Sequence, residues 1–167
     1  SVEFSMLSKQ QQIEQFDPSQ PGLADATIYG LPFTAEESEI VILPAPWEVT
    51  VSYGSGASEG PEAIFNASFQ VDLLHQEFPD LWKLGIYMDE APEQWIANSE
   101  KYKSLAQPII EALENGEAIE TFPQLQSDLD KINKASAQFN QEVKERTLYW
   151  MNQGKKVILL GGDHSTP

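Results

Sequence analysis

The sequence has no cysteine, two histidines, and 10 basic side chains against 26 acidic ones among 167 residues. Without cysteine there is no disulfide, thiolate metal site or cysteine nucleophile, and such usage suits a reducing compartment, so a cytoplasmic setting is expected. A formal net charge of −16, with no Lys/Arg-rich run, repels phosphate backbones and anionic lipid surfaces. Neither nucleic acid nor a membrane is therefore an expected partner. No stretch approaches the roughly 20 consecutive apolar residues that span a bilayer. Internal repeats are lacking too. What is present is a hydrophobic share of 41%, that of a folded globular chain.

Residues 1–5 precede Met6 and read as a scar of expression. Residues 6–39 read as an N-terminal arm, glutamine-rich over 9–20 and broken by Asp17, Pro18, Pro21 and Gly22, with room for a short surface helix. Residues 40–43, Ile-Val-Ile-Leu, form an unalternated run bounded by Pro44 and Pro46, which suits a strand buried on both faces of a parallel sheet. A glycine-bearing loop, 47–60, leads to Pro61, a good first residue for a helix that includes Ala63, Ile64, Ala67 and Phe69. Residues 84–88 predict a second strand.

Two longer helices follow. Asn98 or Ser99 can cap one that runs through Leu105, Ile109, Ile110 and Leu113 to Asn115-Gly116, with Pro108 placed to kink it. Ser127 can cap the other, where Leu129, Ile132, Ser136, Phe139, Val143, Thr147 and Trp150 recur at spacings of three and four and Gly154 stops the helix. Residues 157–160 predict a third strand as apolar as the first. This order predicts an α/β fold with a parallel sheet and right-handed crossovers. The third strand would lack cover, so residues 40–167 read as the first portion of a larger single domain, cut off mid-fold.

Polar residues just after a buried strand of an open α/β sheet face the ligand crevice. Gly161-Gly162-Asp163-His164-Ser165 stands in that place, the paired glycines permitting a sharp turn and close backbone approach. With the strand before it, this run resembles the first metal-binding signature of the ureohydrolase family, the arginases, agmatinases and formiminoglutamases. Residues 52–64, Ser-Tyr-Gly-Ser-Gly-Ala-Ser-Glu-Gly-Pro-Glu-Ala-Ile, resemble the family's segment after its first strand. The agmatinases are the most similar branch.

The resemblance implies a three-layer αβα fold of the arginase/deacetylase type, of which this chain holds the first strands, with the first strand between the second and third. It also implies two Mn²⁺ ions bridged by a hydroxide that attacks a guanidinium carbon, releasing urea and an amine. A small guanidino substrate, agmatine by preference, and a trimeric or hexameric homo-oligomer are further implications. His164 matches a metal ligand. Asp163 matches a neighbouring position that steadies the loop, and Gly161 and Gly162 match backbone positions. The expected crevice lies between loops 44–60 and 161–167. Gly54, Ser58 and Phe65 stand where members commonly carry arginines, and Glu48 where many carry aspartate, as in a divergent branch.

The family's further ligands come from an Asp-x-His-x-Asp segment, which this sequence does not contain, and a later Asp-x-Asp. The pair Asp128 and Asp130 lies on a predicted helix, where residues two apart do not share a face, and reads as a solvated helix start. His75, beside Leu73 and Leu74, reads as a surface or packing residue. The catalytic residues are therefore expected beyond Pro167, and the 167-residue segment alone is expected to be inactive and without a tight Mn²⁺ pair. The alternatives are a formiminoglutamase or arginase of the same family, or a non-catalytic binding or assembly relative. A metal-dependent deacetylase shares the fold, but the Gly-Gly-Asp-His-Ser run speaks against it.

Overall fold

A computed structural model describes residues 7–20, 27–50 and 54–163. Three strands, β1 (Ile40–Ala45), β2 (Ile86–Met88) and β3 (Lys156–Gly161), form a parallel sheet in the order β2-β1-β3. The first strand is thus central, as the resemblance implies. In register, Ile40 stands beside Ile86 on one side and Lys156 on the other. Val41, Leu43 and Ala45 are fully buried and Ile42 nearly so, which is why this strand shows no alternation. β2 begins later than the sequence predicts because residues Leu81–Leu84 close into a 3-10 turn that ends at Gly85.

Alternate residues of a strand face opposite sides. The side bearing Leu43 and Ala45 is covered by α3 (Glu93–Glu114) and α4 (Pro123–Asn152). Ile132, Phe139, Val143 and Trp150 of α4 are buried, following the predicted stripe. Phe139 stacks on Trp47 at 4.5 Å and meets Trp95 of α3 edge-on at 5.1 Å. Ile86, on the other side, packs with the buried Leu31, Phe33 and Trp82.

Both long helices start earlier than expected. α3 opens at Glu93 behind Pro92, so Asn98 and Ser99 lie inside it and neither is its cap. α4 opens at Pro123, ahead of Ser127, because the fixed φ of proline suits a first helical residue. Leu113 is exposed, off the buried face of α3, and the helix continues through Pro108. α2 (Gly60–Ser68) carries Pro61 in its first turn as predicted.

The segment before β1 adds to the core. α1 (Lys9–Gln15) is closed by a capping box between Ser8 and Gln11, and Phe16 just after it lies 5.0 Å from the Trp82 ring. Ile28, Leu31 and Phe33 have no exposed surface. Among the described residues, no helix is long and apolar enough to cross a membrane.

Candidate active-site loop

The β1–β3 ladder continues past the strands into the Gly-Gly-Asp turn. Gly162 donates its N–H to the Ala45 carbonyl at 3.3 Å, and Asp163 donates to the Trp47 carbonyl at 2.9 Å. A Cβ on Gly162 would stand 2.2 Å from the Trp47 carbonyl oxygen and 2.7 Å from that of Ala45. Glycine is therefore a steric necessity here. Gly161 lies beside Ala45 in the sheet register. The structure thus brings Gly161, Gly162 and Asp163 together at the carboxyl end of the central strand, while His164 lies outside the described residues.

Among the described residues, no three His, Cys, Asp or Glu side chains group closely enough to hold a metal ion. These residues by themselves do not fit a metal pair, so no chemical step is assigned to them. His75 is exposed, as expected. Its Nδ1 accepts the N–H groups of Glu77 and Phe78 at 3.2 and 3.3 Å, and its ring stacks on Phe78. Asp130 is exposed, but Asp128 departs from the expected solvated helix start and is largely buried. The Gln124 amide and the Lys131 ammonium hold its carboxyl below the usual range.

The loop after β1 is fastened by Glu48, which is 1% exposed. Gly56 donates its N–H to both carboxylate oxygens at 3.0 and 3.1 Å, Ser58 donates its hydroxyl at 3.2 Å, and the Lys103 ammonium stands 3.1 Å away. Burial pushes the carboxyl upward, yet the Gly56 N–H and Lys103 outweigh it and hold the group down at about 2. Ser58, where the resemblance leads one to expect an arginine, serves here to bind Glu48. Glu48 appeared in the sequence only as a carboxylate substitution, and Lys103 carried no signal except its spacing of four from Ser99.

Ala45 and Trp47, at the end of β1 and the start of the loop after it, meet Gly162 and Asp163 in direct contact. Among the described residues, a cleft of about 590 Å³ opens on the β2 side of β1, lined among others by Pro44, Pro61, Phe65, Tyr87, Glu62 and Glu100; residues 164–167 of the crevice expected between loops 44–60 and 161–167 lie outside the described residues. The backbone hydrogen bonds of Gly162 and Asp163 close the β3 side.

The model of the arginase family matches residues 38–167. An N(1)-aminopropylagmatine ureohydrolase of Synechocystis sp. is 29% identical over 131 residues, covering 77% of this chain and 32% of that protein. Proteins of the same name from two strains of Thermus thermophilus are 29% and 28% identical over 133 residues, covering 78% of this chain and 32% of theirs. The chain thus spans about a third of the length of these curated relatives. No solved structure matches it significantly. The family match begins just before the central strand and runs through the Gly-Gly-Asp turn, and the chain belongs to the arginase family.

Proposed function

We propose that the whole protein is a ureohydrolase that hydrolyses a guanidino compound with a cationic tail, agmatine or its N(1)-aminopropyl derivative, to urea and an amine. The observation that carries this reading is the Gly161-Gly162-Asp163 turn, seated at the carboxyl end of the central strand within the span the family model matches. The aminopropyl alternative comes from the printed name of the similar proteins. The net charge of −16 on these 167 residues contributes a field that favours the approach of a cationic substrate over an anionic one. In this reading a Mn²⁺ pair would supply Lewis-acid activation of water. His164 contributes one of its ligands, and residues other than the described ones complete the set.

The test is urea release by the full-length, Mn²⁺-loaded protein from agmatine, N(1)-aminopropylagmatine, arginine and guanidinobutyrate. Release from either of the first two supports the reading, and release from none of the four overturns it. The 167-residue chain alone is expected to release no urea, and metal analysis finding two tightly held ions per chain would contradict that. The whole protein is further proposed to be a cytoplasmic homo-oligomer, a trimer or hexamer, which light scattering on the purified protein checks.

A further inference from the structure

One peptide group joins the Gly-Gly-Asp turn to helix α3. The carbonyl of the Trp47–Glu48 peptide accepts the Asp163 N–H at 2.9 Å, and the N–H of the same peptide donates to the Ser99 hydroxyl at 2.9 Å. Four residues along α3, on the same helix face, Lys103 reaches the Glu48 carboxylate at 3.1 Å. Ser99 and Lys103 therefore grip Glu48 at its two ends, backbone and side chain. Ser99 is 3% exposed and Glu48 1%, so water does not readily replace either partner. The glycine at 162 lets the turn approach this peptide closely enough for the contact to form.

A peptide plane held at both its N–H and its C=O has little freedom to rotate. Its carbonyl direction fixes where the Asp163 N–H sits, and with it the last described backbone before His164.

We propose that Ser99 and Lys103 are positioning residues of the active site, acting through Glu48 and the Trp47–Glu48 peptide to fix the Gly161-Gly162-Asp163 turn. This rests on the reading of that turn as part of the ureohydrolase site. The device sets loop geometry from a helix that contributes no reacting group.

The test is residue-resolved hydrogen exchange on the full-length protein, comparing wild type with Ser99→Ala, Lys103→Met and Lys103→Arg. Ser99→Ala is expected to speed exchange at the Asp163 amide by about tenfold, the size of one net hydrogen bond. Lys103→Met is expected to speed exchange at Gly56 by a similar factor and at Asp163 by less, and Lys103→Arg to restore both towards wild type. Amides of β1 and α4 are expected to stay unchanged. If Asp163 exchanges as slowly in Ser99→Ala as in wild type, or if all amides quicken together, the proposal is overturned. Lys103→Met, at a partly exposed side chain, keeps the test open should Ser99→Ala fail to fold. Exchange does not depend on turnover. A wild type that releases no urea while Asp163 responds would remove the functional reading and leave the coupling standing.

Discussion

β1 and β3 are neighbours that share a Val-Ile-Leu run in register, yet they live in different surroundings. Ile42 and Ile158 are register partners on one face of the sheet, and they are 6% and 50% exposed. The side chain, the strand direction and the face are the same. What differs is what lies across. β1 has strands on both sides, whereas β3 has one on the β1 side only among the described residues. An apolar run reports the burial a strand is suited to, and neighbours distant in sequence decide how much of it is realised.

Four substitutions in the full-length protein sharpen or break this contrast. Ile42→Ala is expected to lower stability the most, by about 2–5 kcal/mol, as for a filled core site; the shift of the denaturant midpoint measures it. Gly162→Ala comes next, at about 1–3 kcal/mol, because the new methyl meets backbone that cannot yield as a flexible side chain would. It should also weaken the end of β3, which exchange at the Leu160 and Gly161 amides reads.

Glu48→Gln is expected to remove about 1.5 kcal/mol at neutral pH, the scale of hydrogen bonds to a charged group, with a small share from Lys103, whose side chain is 34% exposed. The sign with pH follows from the lowered carboxyl. Its stabilisation is complete above the ordinary value of 4.5 and drains away as pH falls towards about 2. Stability measured across that window is expected to fall more steeply in wild type than in Glu48→Gln, and equal slopes would contradict the assignment. Ile158→Ala is expected to have the smallest effect if the described surroundings are all that Ile158 meets, at most about 1 kcal/mol. A loss matching that of Ile42→Ala would show that β3 is covered in the full-length protein as fully as β1.

The alternation-free runs at 40–43 and 157–160 and the three-and-four spacing of α4 made the parallel sheet and its main helical layer legible, because burial writes directly into composition. The helix starts were harder to read. Pro92 and Pro123 open helices by backbone geometry alone, while Ser99 and Ser127 look like caps and stand inside helices. Ser99 is a buried partner for Glu48 N–H, a pairing across 51 residues that no local pattern records. The Gly-Gly-Asp turn was legible as a site, but the grip on Glu48 was not, since it needs α3 folded against the loop. Phe33 and Leu31 likewise became core only through Trp82, far along the chain.

The α3–α4 pair has a consequence for the order in which this chain acquires its shape. Ile40 pairs with Lys156 across most of the described chain, so a search by an open chain would bear a large closure entropy. The two helices are joined by a short turn at Ile119–Thr121 and fold back on each other, with the Trp95 indole N–H on the Glu142 carboxylate at 2.6 Å. Contacts of smaller sequence separation, those beside this turn first, are expected to form before the more distant pairing of β1 with β3. Once closed, the hairpin carries the start of β3 back towards the chain that precedes α3. A distant strand pairing is thereby turned into a short remaining search.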